Sequence, residues 1–246
     1  MPSQDFKRVY VWELPVRLTH WINAFSILVL SVTGYLIARP PAILSSTEAT
    51  ELYWFGTVRA IHFIAAYIFL FSIILRIYWL FKGNQFGGWS AFNIFNKRAI
   101  GSLMHVIRTD ILLINEKDPV LCRFSIGHNV VAAGSYMVFY ILFFIMIFTG
   151  FGLYADMSEW WLPNLFAWVP AAMGGDMEAR FLHHVVMWFI TFIIIVHIYL
   201  ALYHGWLEGR GEISSMVSGY KFVCKDRVNQ QMDLLDRIKD PDDIVD

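Results

Sequence analysis

Residues 181–207, FLHHVVMWFITFIIIVHIYLALYHGWL, form a run of 27 residues without Asp, Glu, Lys or Arg. An α-helix needs about 20 mostly apolar residues to cross the hydrocarbon core of a bilayer. Residues 18–38 and 124–155 are equally free of these four residue types, and residues 60–81 are interrupted only by Arg76. The sequence therefore predicts four membrane spans, at about residues 17–38, 59–81, 127–155 and 180–206.

The composition of the 246-residue chain also indicates a membrane protein, because 57% of its residues are hydrophobic and only 16% are charged. Soluble domains contain about 25% charged residues, and disordered chains are poor in apolar residues. Two cysteines are too few for a disulfide scaffold, and a net charge of −1 gives no support for a nucleic-acid partner. We expect residues 1–222 to form an all-α integral membrane domain, a four-helix bundle whose spans contact lipid. A polar cytoplasmic tail follows over residues 223–246.

The distribution of Lys and Arg predicts the orientation, since cytoplasmic loops carry an excess of these residues. Fifteen of them lie in the N-terminal segment, the loop after the second span and the tail, against Arg39, Arg59 and Arg180 on the other side. Both termini are therefore predicted to be cytoplasmic. Residues 99–115 carry apolar side chains at helical spacing, which predicts a short amphipathic helix on the cytoplasmic face between the second and third spans.

Four histidines occupy two depths of the predicted spans. Ionisable side chains within a bilayer are costly and are functional candidates by default. Fourteen residues of α-helix turn through about 1400°, about 40° short of four full turns, so His183 and His197 share one face of the fourth span. The predicted topology places His62 and His183 at an outer level, and His20 and His197 at an inner level. Each level thus holds two imidazoles from two different helices.

Two opposed imidazoles are the axial ligands that a six-coordinate haem iron requires. A zinc site usually takes three or four protein ligands at one place, and the sequence has no C-x-x-C-H motif for covalent haem attachment. The spacing therefore predicts two non-covalently bound haems b, with His62 and His183 on the outer iron and His20 and His197 on the inner iron. For any one of these histidines, a hydrogen-bonded packing role is the alternative.

Three further residues fall on the same helix faces. Gly34 lies fourteen residues after His20, and Gly150 in FTGF repeats the Thr-Gly-aromatic pattern of VTGY around Gly34. We predict that these glycines let a porphyrin edge approach the backbone, with close helix packing as the alternative. Arg76 lies fourteen residues after His62, and we predict that it pairs with a propionate of the inner haem. Snorkelling of Arg76 to the inner headgroups is the alternative.

The motifs, taken in order from about residue 9 to residue 222, resemble the b-type cytochrome subunit of membrane-bound nickel–iron hydrogenases. The resemblance implies two haems b at His20, His62, His183 and His197. It also implies periplasmic partners, the small iron–sulfur and the large nickel–iron hydrogenase subunits. The segments that carry it are VYVWELPVRLTHWINAFSILVLSVTGYLI (9–37), RAIHFIAAYIFLFSIILRIYWLFKGN (59–84), IGHNVVAAGSY (126–136), LHHVVMWFITFIIIVHIYLAL (182–202) and MVSGYKF (216–222).

The function implied by the resemblance is electron transfer through the bacterial inner membrane, where the chain would be a multi-pass protein. Electrons would pass from the hydrogenase through the outer and then the inner haem b to a quinone, either menaquinone or ubiquinone. The chain would not split hydrogen itself, but would be the quinone-reducing subunit of a hydrogen:quinone oxidoreductase complex. The membrane subunit of formate dehydrogenase is similar in plan, so the same role for formate dehydrogenase or another periplasmic oxidoreductase is the alternative.

A quinone carbonyl needs a hydrogen-bond donor near the inner haem, and His128, Asn129 and Tyr199 are the candidates. Helix capping by Asn129 explains the GHN motif equally well.

A histidine-based metal or proton transporter is a function of a different class. It is disfavoured because such proteins use intramembrane carboxylates, and the four predicted spans contain none.

Overall fold

The computed structural model describes residues 6–41, 53–84, 86–89, 130–208 and 212–224. Four of the described helices are long and apolar enough to cross a membrane, so the prediction of four spans is confirmed. The predicted amphipathic helix and the GHN motif lie outside the described residues. In chain order the elements are β1 (Phe6–Tyr10), α1 (Leu14–Ala38), α2 (Trp54–Lys82), α3 (Val130–Ala155), α4 (Trp161–Asn164), α5 (Trp168–Ala172), α6 (Asp176–Glu208), α7 (Glu212–Ser218) and β2 (Tyr220–Cys224).

Three of the long helices begin earlier than the predicted spans, and the first of them, α1, starts at Leu14 instead of residue 17. Helix α2 starts at Trp54 instead of residue 59, and α6 starts at Asp176 instead of residue 180. The predicted boundaries were set at Arg59 and Arg180, but a long arginine side chain can reach polar surroundings from within a helix. Helix α6 also carries Asp176 and Glu178 in its first turn, where negative charge is favourable.

Residues 18–78 and 135–197 form one compact unit, which contains most of each long helix. Its core joins α2 to α3 through a buried cluster of Phe69, Leu70, Ile73, Ile147 and Phe151. Many other large apolar side chains of these helices are exposed. Helices that are apolar on all sides are typical of membrane spans, so the exposed apolar faces are those expected to contact lipid.

The described residues 6–17, 79–84, 86–89, 130–134, 198–208 and 212–224 belong to a second compact unit, which contains a small sheet that the all-α prediction did not include. Strands β1 and β2 pair antiparallel, from Phe6 opposite Cys224 to Tyr10 opposite Tyr220. Gly219, at φ +87°, turns the chain from α7 into β2, a conformation that glycine adopts without steric cost. Residues 223 and 224, predicted as part of the tail, therefore belong to β2, and residues 225–246 lie outside the described part.

Glu13 connects the segment before α1 to the end of α2 within this second unit. Its Oε2 atom accepts hydrogen bonds from Nε1 of Trp79 at 2.8 Å and from the backbone N–H of Asn84 at 2.9 Å. The side chain of Asn84 in turn donates to the carbonyl oxygen of Val11 at 3.0 Å. The glutamate at the start of the E-x-P-V-R-x-x-H-W motif therefore has a structural role.

We expect Glu13→Leu to lower the thermal unfolding midpoint of the detergent-purified protein. The substitution removes the hydrogen bonds from Trp79 and Asn84, which are half-buried, and each such bond typically contributes about 0.5–1.5 kcal/mol. Glu13→Gln keeps one acceptor oxygen and should lose less. Glu159→Leu at an exposed position is the control, and equal midpoints for Glu13→Leu and Glu159→Leu would contradict the role of Glu13.

Candidate histidine sites

His62 on α2 and His183 on α6 line one cavity of about 680 Å³ within the first unit. Their imidazoles interact electrostatically with each other. The volume is in the range of about 300–1,000 Å³ that is usual for cofactor pockets. The structure therefore brings together the two histidines assigned to the outer level. Most of the remaining wall is apolar and includes Ile27, Leu30, Phe63, Phe69, Met146 and Met187.

A threonine hydroxyl is hydrogen-bonded to each of these imidazoles. Oγ1 of Thr33 lies 2.8 Å from Nδ1 of His62, and Oγ1 of Thr149 lies 2.7 Å from Nδ1 of His183. Each hydroxyl also donates to the carbonyl oxygen four residues earlier in its own helix, at 2.7 Å and 2.6 Å respectively. A hydroxyl has one hydrogen, so towards the imidazole it acts as acceptor, and Nδ1 carries the proton. Nε2 of both rings is then left with a lone pair for a metal.

The glycine after each threonine lies against the same imidazole. A Cβ atom on Gly34 would be 3.3 Å from Cε1 of His62, and one on Gly150 would be 3.0 Å from Cε1 of His183. Both distances are tighter than ordinary van der Waals contact, so the glycines provide the space for the rings. The porphyrin contact predicted for these glycines stays a prediction. In the structure each glycine is next to an imidazole, Gly34 next to His62 and Gly150 next to His183.

Sequence reasoning identified the repeated Thr-Gly-aromatic pattern but assigned no role to Thr33 and Thr149. The repetition of VTGY and FTGF was the signal that could have found them. The two copies have the same arrangement: the threonine of one helix binds Nδ1 of a histidine on another helix, and the next residue makes room for its ring. We call each copy a Thr-Gly clamp.

The neighbouring His184 also lines the cavity, but its ring nitrogen is engaged elsewhere. Nε2 of His184 accepts a hydrogen bond from Nε1 of Trp188, one turn later in α6, at 3.2 Å. An accepting nitrogen has its lone pair occupied. This contact distinguishes His184 from His183, whose ring is bonded to Thr149 through Nδ1.

The inner pair differs from the outer pair in its hydrogen bonds. His20 on α1 and His197 on α6 interact electrostatically, His20 being half-buried and His197 exposed. Nδ1 of His20 and Oδ1 of Asn23, one turn later, are buried and have no hydrogen-bond partner among the described residues. No threonine corresponding to Thr33 or Thr149 contacts this pair in the described part of the chain.

Each pair offers two imidazoles that could bind a metal, and the described residues offer no larger set. Among them, no group of three or more His, Cys, Asp or Glu side chains is arranged to hold a metal ion. A metal at either pair would need its remaining ligands from outside the described residues. An iron porphyrin brings four equatorial nitrogens of its own, so two histidines, a cavity of this size and free Nε2 atoms fit a haem.

Arg76 is buried, with 5% of its surface exposed, and interacts electrostatically with Tyr136 and Tyr140 of α3. Its side chain therefore lies among the helices, which argues against snorkelling to the headgroups. Its pairing with a propionate stays a prediction.

The quinone candidates remain predictions as well. Tyr199 is exposed, and its ring stacks on Tyr203 with 6.2 Å between centroids. His128 and Asn129 lie outside the described residues.

Known proteins match this chain over most of its length. Residues 11–219 match the family model described as prokaryotic cytochrome b561. Relatives in Cupriavidus necator and Rhodobacter capsulatus, both named "Probable Ni/Fe-hydrogenase B-type cytochrome subunit", are 34% and 36% identical over 224 and 225 residues. These alignments cover 89% of this chain in each case, and 89% and 84% of the relatives.

A third relative, the "Probable Ni/Fe-hydrogenase 1 B-type cytochrome subunit" of Escherichia coli K12, is 33% identical over 221 residues. That alignment covers 86% of this chain and 90% of the relative. The family match extends from before α1 to the turn between α7 and β2, and so includes all four long helices and both histidine pairs. The chain therefore belongs to the prokaryotic cytochrome b561 family.

Proposed function

We propose that the chain is a hydrogenase-associated cytochrome b that holds two haems b in the bacterial inner membrane and connects a periplasmic nickel–iron hydrogenase to quinone. The hydrogenase association comes from the names of its relatives. The observation that carries the haem-binding part is the outer histidine pair, in which two Thr-Gly clamps from two helices turn two imidazoles into one cavity.

In this proposal His62 and His183 hold the outer iron, and His20 and His197 hold the inner iron. Bound at the two sites, haem b supplies one-electron chemistry, which would link the small and large hydrogenase subunits on the periplasmic face to menaquinone or ubiquinone near the cytoplasmic face. Thr33 and Thr149 keep Nδ1 protonated, which would leave Nε2 of each ring to bind the iron. The apolar wall of the cavity keeps water from the ligated rings.

The alternative partners and functions differ in what supports them. A cytochrome b subunit of formate dehydrogenase would use the same histidine pairs, and the names of the relatives favour hydrogenase. A metal-cation transporter is disfavoured by the outer cavity, whose wall contains Arg59 and Arg180 and no Asp or Glu among the described residues. Two fixed positive charges oppose the entry of a cation.

A pyridine haemochrome assay on the purified protein should give about two haems b per chain, because each histidine pair provides one set of axial ligands. His62→Ala and His183→Ala should each lower the ratio towards one, whereas His184→Ala should keep both haems. A protein that contains bound metal ions but no haem would exclude the proposed function and favour a transporter.

Removal of one clamp hydroxyl should weaken haem binding without removing a ligand. Thr149→Val keeps the shape of the side chain but leaves Nδ1 of His183 without its acceptor. Loss of such a partner usually costs about 10–100-fold in metal affinity. Haem retention during dilution, and the low-temperature EPR signal of the oxidised protein, should change for one haem only.

Two further variants separate this effect from general destabilisation. Thr149→Ser restores the hydroxyl and should restore haem retention. Thr191→Val removes a hydroxyl of α6 that donates to the carbonyl oxygen of Met187 at 2.9 Å and is bonded to no histidine. If Thr191→Val and Thr149→Val have the same effect, the clamp does not orient the ligand.

Asn129→Leu tests the quinone candidate of the GHN motif. We expect it to block quinone reduction by the complete hydrogenase complex, because a quinone carbonyl loses its donor, while hydrogen still reduces both haems. Haem reduction and quinone reduction are measured separately by their absorbance changes. Loss of the haems in this variant would instead indicate that Asn129 caps the third span.

A further inference from the structure

We propose that Arg59 and Arg180 form a carboxylate-binding end of the outer cavity and that they pair with the two propionates of the haem held there. The proposal rests on the proposed function and adds to it the residues that recognise the acidic side of the cofactor.

The two arginines occupy equivalent positions relative to the two outer ligands. Arg59 precedes His62 by three residues in α2, and Arg180 precedes His183 by three residues in α6. Residues three apart in a helix lie on neighbouring positions of one face, separated by about 4.5 Å along the axis. All four side chains line the same cavity, so the R-x-x-H pattern presents a guanidinium one turn before each imidazole on both helices.

The surroundings of the two guanidinium groups do not neutralise their charge. Arg59 is half-buried; its Nη2 contacts the sulfur of Met157, and its Cζ lies 5.9 Å from the ring centroid of Phe63. A thioether is only a weak acceptor. Arg180 is exposed and makes no hydrogen bond or ion pair within the described part of the chain. The described cavity wall contains no Asp or Glu, so no carboxylate of this wall balances the two positive charges.

The chemistry of the cavity identifies the kind of anion. An occupant that fills an apolar cavity and meets two cations at one end has to combine a large apolar body with two negative groups. A porphyrin with two propionates has this composition. Guanidinium binds a carboxylate through two parallel N–H···O hydrogen bonds, which gives both affinity and a fixed orientation. One arginine for each propionate would therefore fix the rotation of the macrocycle between the two imidazoles.

The phosphate of a lipid headgroup is the other source of anionic oxygens for these arginines. The two sources predict different effects, because a positive charge paired with the cofactor favours its reduced state, whereas a charge paired with lipid is directed away from it. Arg39 provides a matched control: it is an exposed arginine directly after α1 that is absent from the cavity wall, and it belongs to the same predicted side of the membrane.

The test compares Arg59→Gln, Arg180→Gln and the double variant with Arg39→Gln in the full-length purified protein. Haem per chain is measured by pyridine haemochrome, and both haems are titrated optically against potential. The absorbance component lost in His62→Ala identifies the outer haem. We expect each single variant to shift the reduction equilibrium of the outer haem about tenfold towards the oxidised form, about 59 mV for a one-electron couple. The double variant should lose the outer haem and retain the inner one.

Arg39→Gln should keep two haems with unchanged potentials. A double variant with Arg59→Lys and Arg180→Lys should retain more outer haem than the double glutamine variant. The proposal is overturned if both single glutamine variants behave as Arg39→Gln does in haem content and in both potentials. If the arginines bind lipid phosphate instead, the glutamine variants should behave in this way. Their unfolding midpoint should then also lose the increase that phosphatidylglycerol vesicles give the unsubstituted protein relative to phosphatidylcholine vesicles. If the double variant does not accumulate, the single variants decide by the same criterion. An unsubstituted protein without haem would instead refute the proposed function.

Discussion

The outer site depends on the single hydrogen of a threonine hydroxyl. In α1 and in α3 that hydrogen is donated to the carbonyl oxygen one turn earlier, so the hydroxyl oxygen can only accept from the imidazole beside it. The proton of His62 and of His183 is thereby held on Nδ1, and Nε2 of each ring keeps its lone pair. Ring orientation, tautomer and ligand direction all follow from this one hydrogen bond.

The membrane setting explains why threonine suits this position. A hydroxyl within an apolar span has no water to bind and donates its hydrogen to a carbonyl oxygen of its own helix. This hydrogen bond needs no partner from another helix, and it fixes the rotamer of the threonine. The remaining acceptor capacity then points away from the helix axis towards a neighbouring helix. Glycine at the next position lets the imidazole come close, since any Cβ there would press on Cε1. Two adjacent residues thus position each imidazole: the threonine (Thr33 or Thr149) binds its Nδ1 atom, and the glycine that follows (Gly34 or Gly150) makes room for the ring.

The four spans could be predicted because the bilayer imposes their length. Its thickness sets the length of charge-free sequence, and the helix period relates His183 to His197 without knowledge of tertiary structure. The helix starts at Trp54 and Asp176 could not be found in this way, because the charge-free stretches end at Arg59 and Arg180, which lie inside the helices. The clamps depend on contacts between residues about 30 positions apart, Thr33 with His62 and Thr149 with His183. The sheet pairs Phe6 with Cys224, across nearly the whole chain, and no local pattern predicts that pairing.

The two histidine pairs differ in how far the described chain prepares them. The outer imidazoles are fixed by two threonines before any cofactor is considered, so the outer site is preorganised. At the inner pair, Nδ1 of His20 and Oδ1 of Asn23 are both buried without a partner among the described residues. A ring nitrogen and an amide oxygen one turn apart on α1 are a matching donor and acceptor, and burial of either alone is costly. The Nδ1–H tautomer of His20 is the one that can donate to Oδ1 of Asn23, and it is also the tautomer that the threonines give to His62 and His183. The same chemical requirement would then be met by a clamp on a neighbouring helix at one level and by the ligand's own helix at the other.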